Sequence, residues 1–337
     1  MTNFYSILQK YKKLEQLNSD FLSLDFPEEQ YCISLSGGVD SMVLIDLLIK
    51  KHKKIIAIHI NYNNRSETGL EEQFLREYCE KNSVKFICHI FDITRGSIKR
   101  NKYEEMTKKI KFSLYKKVLI ENNINHVLLA HHKDDIIENI YTNFCTGRNF
   151  LDLSVIKYEN TIFGVNIVRP LLSYYKSDIY NYAHFFGINY FLDTTPDWSV
   201  RGILRGQLFP LISTTFNGYK QNLLNISHES EEWSELLNTK IIKKYYENIV
   251  CNENNAILPL ELNNENYSKY PLCFWKEIFV RLYHSYGICA PSRKSLILFR
   301  ELLINNITKN MILSKNTKAS LFSNNITIQF YNDRIRI

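Results

Sequence analysis

A turn of sequence Ser-Gly-Gly-Val-Asp-Ser, at residues 36–41, follows the apolar run Tyr31–Leu35 and leads into the apolar run Met42–Ile45. A strand that enters a glycine-rich turn and then a helix can bind phosphate, because free N–H groups and the positive end of the helix dipole meet there. Gly37 and Gly38 let the backbone approach a ligand closely and adopt a positive φ where needed. A bare Gly-Gly turn is more often only a tight connection. Here two hydroxyls and a carboxylate accompany it, and we predict a phosphate site.

The side chains of this turn indicate how a phosphate would be held. Ser36 and Ser41 offer hydroxyl donors. Asp40 offers a carboxylate that could hold Mg²⁺ against phosphate oxygens. The turn contains no lysine, so it differs from the GxxxxGK[ST] nucleotide loop. The predicted phosphate-binding residues are Ser36, Gly37, Gly38, Val39, Asp40 and Ser41.

A second polar cluster spans residues 131–139, where a strand-like run ends and a helical pattern begins. Asp134 and Glu138 are four residues apart, as are His131 and Asp135, so each pair would share one helix face. The cluster could be only an acidic first turn that complements the helix dipole. It could also bind a metal, although no third set of ligands stands out. Its position beside the predicted phosphate turn favours a role in lining a catalytic pocket.

Two groups of basic residues could bind further phosphates. Arg201 and Arg205 are four residues apart, which suits two phosphates or a phosphate and a carboxylate when both project from one helix face. A longer basic run has Tyr103, Phe112 and Tyr115 interleaved, an arrangement compatible with base stacking beside phosphate contacts. Such a run is usually a solvated helix face, and we expect Phe112 and Tyr115 to belong to the core. The basic residues of the run are Arg95, Lys99, Arg100, Lys102, Lys108, Lys109, Lys111, Lys116 and Lys117.

Short β-rich runs alternate with amphipathic helical runs through the first two-thirds of the chain. We expect strands at Tyr31–Leu35, Lys54–Ile60, Lys85–Phe91, His126–Ala130 and Thr161–Val168. We expect helices at Ser41–Lys50, Leu70–Lys81, Tyr103–Glu121, Asp134–Cys145 and Lys176–Phe186. This alternation predicts an α/β fold with a doubly wound, mostly parallel sheet. Ligands bind such sheets beyond the carboxyl ends of the strands, where the 36–41 turn would lie.

The chain is long enough, at 337 residues, for two domains. We place a boundary near residue 215, which separates residues 1–215 from a smaller helical-plus-β domain over 216–337. The net charge of +7 suits a polyanionic partner without demonstrating one. The seven cysteines include no Cys-x-x-Cys pair, and no signal-like segment or membrane-length apolar run occurs. These features predict a soluble, cytoplasmic protein without membrane contact.

The motifs together, in this order, resemble those of the bacterial tRNA(Ile)-lysidine synthases. These enzymes are PP-loop (N-type) ATP pyrophosphatases with an adenine nucleotide alpha hydrolase-like fold. Residues 36–41 match the pyrophosphate loop of the family. Residues 57–61, continuing to Arg65, resemble its second-strand segment Ala-x-His-Val-Asn-His-x-x-Arg. Residues 130–139 resemble its Gly-His-His-x-Asp-Asp-x-x-Glu-Thr motif, and 201–210 resemble Arg-Asn-x-x-Arg-x-x-x-x-Pro.

The chain departs from the family motifs at several positions. Ala130 replaces the first Gly of the histidine motif, Asn139 replaces its Thr, and Gly202 replaces the Asn of the arginine motif. The family segment Ala-Arg-x-x-Arg-Tyr is Thr-Lys-Lys-Ile-Lys-Phe here, at 107–112. The positive charge is retained, but the bidentate fork of arginine is lost.

The resemblance implies ATP-dependent ligation of lysine to C2 of the anticodon cytidine of tRNA(Ile), through an adenylated cytidine, with release of AMP and pyrophosphate. It implies ATP and Mg²⁺ as cofactors, the Mg²⁺ on Asp40, and tRNA and L-lysine as partners. It also implies that 216–337 binds tRNA. The implied catalytic residues are Asp40, His131, Asp134 and Asp135. The implied ATP contacts are residues 36–41 and His59, and the implied tRNA or phosphate contacts are Lys108, Lys111, Arg201 and Arg205.

Two other interpretations remain open. Another PP-loop enzyme, such as a tRNA thiolase or an amidotransferase, could adenylate a different tRNA base or a small substrate. Thiolases that use a metal or cluster need paired cysteines, and the lack of Cys-x-x-Cys argues against them. The chain could also be a degenerate tRNA-binding protein that retains the fold. The intact residues Ser36, Asp40, Ser41, Asp134 and Asp135 favour an enzyme.

Overall fold

The computed structural model describes residues 15–16, 18–63, 67–91, 100–192, 195 and 197–331. Arg65, Arg95 and Lys99, which the sequence motifs include, lie outside the described residues. The chain divides into two compact units, Met1–His228 and Glu229–Ile337. In the part of the chain that the structure describes, every helix is too short or too polar to cross a membrane.

A six-stranded sheet forms the centre of the first unit. Its strands are β1 Gln30–Ser34, β2 Lys54–Asn61, β3 Lys85–Ile90, β4 His126–Leu128, β5 Glu159–Ile162 and β6 Val165–Val168. Their order in the sheet is β3-β2-β1-β4-β6-β5. All neighbouring strands are parallel except β5 and β6, which are antiparallel. The prediction of a mostly parallel α/β sheet is confirmed.

Helices connect these strands and continue beyond them. They are α1 Val39–Lys50, α2 Thr68–Lys81, α3 Arg100–Asn122, α4 Lys133–Cys145, α5 Lys176–Phe185, α6 Val200–Ile203, α7 Phe209–Thr215 and α8 Tyr219–Leu237, with a 3₁₀ turn at Phe150–Asp152. Strand β2 shows why both faces of the sheet are covered. Its residues Ile55 and Ala57 pack in one core with α1, α2 and α5, and Ile56 and Ile58 pack in another with α3. Because successive strand residues face opposite sides, this arrangement is doubly wound.

The predicted single strand over 161–168 is wrong. The structure has two strands there, β5 and β6, joined by Phe163 and Gly164 with φ values of 51° and 73°. Two turn residues with positive φ reverse the chain into a tight hairpin whose twist matches that of the strands. The expectation that Phe112 and Tyr115 are core residues is confirmed, since both are buried against this sheet.

A π-helical segment, Leu204–Leu208, separates α6 from α7. Proline lacks an N–H, and in a regular helix its ring clashes with the carbonyl four residues earlier. Pro210, at the start of α7, would meet the carbonyl of Gly206 in this way. The wider π turn relieves that conflict and keeps residues 200–215 in one continuous helical run. Such turns occur often at functional sites, and this one contains Arg205.

The second unit contains helices and an antiparallel sheet. Its elements are α9 Lys243–Tyr246, β7 Val250–Cys251, β8 Asn255–Pro259, β9 Glu261–Leu262, β10 Glu265–Asn266, α10 Leu272–Ser285, α11 Arg293–Ile304, β11 Asn310–Ser314, β12 Thr317–Leu321 and β13 Asn325–Phe330, with a π segment at Asn238–Ile242 and a 3₁₀ turn at Tyr267–Lys269. The main sheet has the order β11-β12-β13-β8-β7. Trp275, Phe279 and Phe299 are fully buried in its core. The predicted helical-plus-β character is confirmed, while the roles assigned to 1–215 and 216–337 stay predictions.

Candidate functional site

The 36–41 turn lies at the carboxyl end of β1 and leads into α1. Gly37 has a φ of 84°, in the left-handed region, whereas Gly38 has an ordinary φ of −70°. A Cβ built on Gly37 would lie 2.7 Å from Cδ2 of Phe191. The N–H of Phe191 donates to the Gly37 carbonyl at 2.9 Å, which fixes the ring beside the turn. The local backbone therefore requires glycine at 37 but not at 38.

Ser41 holds the shape of this turn. Its buried Oγ accepts hydrogen bonds from the N–H groups of Ser36 and Gly37, at 3.2 Å each. Its hydroxyl donates to the Gly38 carbonyl at 3.0 Å. The hydroxyl of Ser41 therefore stabilises the turn itself, whereas the side chain of Ser36 is exposed to solvent. The first N–H groups of α1 have no helical acceptors and can serve an anion.

Asp40 is paired with a lysine from a distant part of the chain. The Nζ of Lys176, at the start of α5, lies 2.7 Å from Oδ1 and 2.6 Å from Oδ2 of Asp40. The Nε2 of His132 lies 3.6 Å from Asp40 Oδ1. The carboxylate that the sequence assigns to Mg²⁺ therefore already binds one cation, the ammonium of this lysine.

Two buried carboxylates at the start of α4 face two arginines. The side chains of Asp135 and Glu138 are only 8% and 5% exposed. Arg205 forms a fork on Glu138, with Nε–Oε1 at 2.5 Å and Nη2–Oε2 at 3.2 Å. Arg201 Nε lies 3.2 Å from Glu138 Oε2, and the Nη2 atoms of Arg205 and Arg201 lie 3.4 and 3.7 Å from Asp135 Oδ1. Burial of a carboxylate requires partners of this kind.

The ionised form of Asp135 is favoured at neutral pH. Burial alone would raise its pKa, but the neighbouring histidines and Arg201 outweigh burial and hold the pKa below its usual value. The Oδ2 atom also accepts the backbone N–H of His132 at 3.1 Å, as the third residue of a helix often does for the residue that caps it. The result is a fixed, charged carboxylate at the carboxyl edge of the sheet.

His131 is held as a neutral donor by a buried arginine. Arg169 Nε donates to His131 Nδ1 at 3.1 Å, and because a guanidinium can only donate, this Nδ1 carries no hydrogen. Arg169 Nη1 donates to the carbonyl of Lys157 at 2.6 Å and to Asn160 Oδ1 at 2.8 Å. Burial lowers the pKa of His131 to about 4, despite the opposing effect of Asp135. The remaining hydrogen of the neutral ring is on Nε2.

His59 has the opposite hydrogen-bonding pattern. Its Nδ1 lies 2.9 Å from the carbonyl of Leu35. A carbonyl can only accept, so this Nδ1 carries a hydrogen. The Nε2 atom is then the one available to a ligand.

A cavity of about 420 Å³ connects these groups, a size within the usual range for small-molecule sites. Eleven of the predicted site residues line it. They are Ser36, Gly38, Val39, Asp40, Ser41, His59, Lys111, His131, Asp135, Arg201 and Arg205. Most of the predicted site residues therefore lie around one cavity, and their roles there stay predictions.

Three predicted site residues are placed elsewhere. Gly37 shapes the turn without lining the cavity, and Lys108 is exposed, with its Nζ 5.4 Å from the ring of Phe163. Asp134 lines a separate cavity of about 400 Å³ and is ion-paired with Lys220. Neighbouring helix residues point in different directions, which explains why Asp134 and Asp135 face different cavities. Asp134 therefore borders a different cavity from Asp135, and its catalytic role stays a prediction.

Among the basic residues of α3 whose side chains the structure describes, Lys111 lines the main cavity. Its Nζ lies 5.6 Å from the ring centroid of Tyr115. Desolvation, and then the nearby charge of Lys108, lower the pKa of Lys111. A less solvated ammonium gains more from contact with an anion than an exposed one does.

The sequence motifs assign no role to Arg169 or Lys176, and they include Glu138 only as a member of the 131–139 cluster. Arg169 directly follows β6, and Lys176 begins the next helix, so both lie beyond the carboxyl end of a strand. The general position of ligand sites in parallel sheets could have identified them. Glu138 falls within the recognised histidine motif, but its pairing with Arg205 joins residues 67 positions apart and leaves no periodic signal.

The donors present fit Mg²⁺ bound together with a nucleotide. Within the described ranges, no group of three or more His, Cys, Asp or Glu side chains could hold a metal ion by itself. Mg²⁺ at nucleotide sites usually takes one or two carboxylates along with phosphate oxygens and water. Asp40, which lines the cavity and already attracts a cation, offers such a carboxylate.

A model of the PP-loop domain family matches residues 7–212, more than half of the chain. A tRNA(Ile)-lysidine synthase of Mycoplasmopsis pulmonis is 37% identical over 148 residues, which cover 44% of this chain and 50% of that protein. One from Streptococcus gordonii is 30% identical over 213 residues, covering 62% and 48%. The chain thus spans about half the length of these relatives. The resemblance inferred from the motifs is confirmed.

A solved structure shows the same fold at low identity. The U34-tRNA thiolase NcsA from Methanococcus maripaludis, with its 4Fe-4S cluster, aligns with a TM-score of 0.51 and 17% identity. The alignment covers 67% of this chain and 78% of the thiolase. At this identity the likeness concerns the fold alone.

We predict that Gly37→Ala and Gly38→Ala differ sharply in stability. Alanine at 37 must adopt a φ near 84° and place a Cβ against the Phe191 ring, so the free energy of unfolding should fall by about 1–3 kcal/mol. Alanine at 38 meets no atom closer than 3.7 Å at an ordinary φ, and the free energy should change by less than about 0.5 kcal/mol. Urea denaturation measures both values. Equal stability of the two variants would contradict this geometry.

We predict that His131 stays neutral until the pH approaches 4. Its lowered pKa, about 4 against 6.5 for an unperturbed histidine, means that the unfolded chain binds the proton first on acidification. The contribution of His131 to stability is therefore present above pH 6.5 and is lost as the pH falls toward 4. An NMR titration should report the low pKa, with Nδ1 unprotonated in the neutral ring. A pKa at or above 6.5, or a hydrogen on Nδ1, would refute the arrangement with Arg169.

Proposed function

The chain belongs to the PP-loop domain family, and from this premise we propose that it is an ATP-dependent ligase that joins lysine to C2 of the anticodon cytidine of tRNA(Ile). The observation that supports the proposal most strongly is the convergence of distant motifs in one cavity. The 36–41 turn, His131, Asp135 and the two arginines all line it. These motifs carry the resemblance to the lysidine synthases, and two relatives bear that name.

The proposed ATP position follows from the donors around the turn. The β- and γ-phosphates would lie against the first N–H groups of α1 and the hydroxyl of Ser36, with the α-phosphorus directed into the cavity. Asp40 would hold Mg²⁺, which, when bound, neutralises charge on the departing pyrophosphate. His59, whose Nδ1 is committed to Leu35, would present Nε2 to the nucleotide.

The proposed reaction has two steps. The C2 carbonyl oxygen of cytosine attacks the α-phosphorus, and the bond to the β-phosphate oxygen breaks, which gives an adenylated base and pyrophosphate. The amine of lysine then attacks C2 and loses a proton, and AMP leaves with the former carbonyl oxygen. The cytidine must first leave its stack to reach the cavity, as is usual for chemistry on bases.

The carboxylate best placed to act on the lysine amine is that of Asp135. It lines the cavity, and its lowered pKa favours the charged form. The charged form can orient an ammonium group, and it is the form that can accept a proton in the second step, with less basicity than an ordinary carboxylate has. Glu138 would act through its fork to Arg205, so we assign it a positioning role.

Other polar groups of the cavity suit the phosphates and the base. His131 presents Nε2–H as a neutral donor. Arg201 is half exposed, at 53% of its side chain, and Lys111 adds a further charge. Lys108, which is exposed on α3, is suited to a phosphate of the tRNA backbone. The role of residues 216–337 in binding tRNA is part of the same proposal.

The proposal is tested by lysine transfer. The protein is incubated with ATP, Mg²⁺, labelled lysine and a tRNA(Ile) transcript, with a transcript whose anticodon cytidine is changed to uridine as the control. We expect label only on the cytidine transcript, together with AMP and pyrophosphate. Absence of lysine transfer, with ATP cleaved in the presence of another amine or a sulfur donor, would overturn the lysine assignment in favour of a different PP-loop enzyme. Binding of tRNA without any ATP cleavage would instead indicate a degenerate binding protein.

In the same assay, Asp135→Asn should separate the two steps. Loss of the carboxylate should slow lysine transfer by about 10²–10⁴-fold, the usual effect of removing a general base, and leave pyrophosphate release within about tenfold of the original rate. Asp152→Asn is the matched control, because Asp152 is an exposed carboxylate paired only with Arg148 among the described contacts. Undiminished transfer by Asp135→Asn would refute its role.

A further inference from the structure

Lys176 lies outside the sequence motifs at 36–41, 57–61, 130–139 and 201–210, and none of them accounts for its contact with Asp40. Its ammonium binds both oxygens of Asp40, at 2.6 and 2.7 Å, from a residue 136 positions further along the chain. Its backbone N–H donates to Asp134 Oδ2 at 2.7 Å, which fixes the start of α5 beside the start of α4. The ammonium also lies 5.4 Å from the ring centroid of Tyr180. The base of the side chain is therefore anchored, while the ammonium is held at the phosphate turn.

Lys176 lines both of the cavities described above. It borders the 420 Å³ cavity that contains the 36–41 turn and the 400 Å³ cavity that contains Asp134. Its side chain is about one-quarter exposed, as is that of Asp40. A ligand entering the main cavity would thus meet the ammonium of Lys176 together with the Asp40 carboxylate.

The 36–41 turn contains no lysine of its own. In GxxxxGK[ST] loops a lysine inside the loop reaches the β- and γ-phosphates. The side chain of lysine carries a compact charge and three donors on a flexible four-carbon stem, so a short movement can exchange one acceptor for another. Here the fold brings the ammonium of a lysine from α5 to Asp40 of the 36–41 turn.

We propose that Lys176 is the phosphate-binding lysine of this site, held on Asp40 before a nucleotide arrives and then moved onto its β- and γ-phosphates. This inference rests on the proposed function in one respect, namely that ATP places its pyrophosphate portion at the 36–41 turn. The inference adds to the proposed ATP site one binding residue from outside the turn, Lys176. It also adds a change of partner for that residue, from Asp40 to the phosphates.

The exchange follows from the charges around Asp40. A divalent cation and an ammonium cannot both occupy the two oxygens of one carboxylate without strong mutual repulsion. Mg²⁺ on Asp40 must therefore displace Lys176, and the phosphates that arrive with the metal supply new acceptors. In the absence of nucleotide, the ammonium should weaken binding of a metal ion at Asp40.

The experiment compares Lys176→Met, Lys176→Arg and Lys133→Met. Methionine removes the charge at similar length, and arginine retains it. Lys133→Met is the matched control, because Lys133 is the first residue of α4, as Lys176 is of α5, and it lines neither cavity. Calorimetry measures binding of inorganic pyrophosphate without metal, and electron paramagnetic resonance measures binding of Mn²⁺ without nucleotide. Thermal unfolding shows whether each variant is folded, and Lys176→Gln replaces any Lys176→Met protein that is not.

We expect Lys176→Met to weaken pyrophosphate binding at least about tenfold, the effect of losing one hydrogen bond to a charged group. Lys176→Arg and Lys133→Met should remain within about threefold of the original protein. Lys176→Met should also bind Mn²⁺ more tightly than the original protein does. Unchanged pyrophosphate affinity in Lys176→Met would overturn the proposal, and so would weaker Mn²⁺ binding in that variant.

A double variant separates phosphate binding from a purely structural role. Asp40→Asn should bind metal-free pyrophosphate more tightly than the original protein, because the ammonium is released and a repelling charge is removed. Adding Lys176→Met to Asp40→Asn should reverse that gain, and no reversal would contradict the proposal. Failure of the original protein to bind ATP or pyrophosphate at all would overturn the proposed function itself. Binding by the original protein with no effect of Lys176 would overturn only this inference.

Discussion

The burial of Asp135 and Glu138 is the constraint on which the site depends. Removing one member of a buried ion pair lowers the free energy of unfolding by about 3–5 kcal/mol. These two carboxylates therefore need cationic partners for the first unit to be stable. Arg201 and Arg205 provide the match from a segment that is remote in sequence, with Arg205 lying 67 residues beyond Glu138. Their pairing fixes the π turn over the carboxyl edge of the sheet. The cavity beside the 36–41 turn is therefore bordered by the same arginines that neutralise these two carboxylates.

The cationic side chains that line the cavity already have carboxylate partners before any ligand is present. Lys176 is held by Asp40, and the two arginines are held by Asp135 and Glu138. A triphosphate would therefore compete with carboxylates for cations that already have partners. Binding of the triphosphate would then exchange one set of ionic contacts for another. Before the anion arrives, the carboxylate partners limit the repulsion among these cationic side chains. His131 adds a donor without adding charge, because Arg169 and burial keep its ring neutral.

Short sequence patterns correctly predicted the features that depend on residues close together in the chain. The alternation of strands and helices gave the doubly wound sheet, and the turn at 36–41 was placed correctly at the end of β1. The hairpin of β5 and β6 was missed, because a positive φ at a phenylalanine, Phe163, leaves no pattern in the sequence. Contacts between distant residues were also missed. The Lys176–Asp40 pair and the Arg169–His131 bond depend on how the sheet edge is assembled, which periodicity does not record.

In the proposed reaction, this cavity directs attack at the α-phosphorus of ATP. The most direct measurement is ³¹P NMR of the products formed from ATP in the presence of the protein, Mg²⁺, lysine and tRNA(Ile). The account predicts AMP and pyrophosphate in equal amounts, formed only when the tRNA is present. Formation of ADP and inorganic phosphate as the primary products would place the attack at the γ-phosphorus and contradict the account.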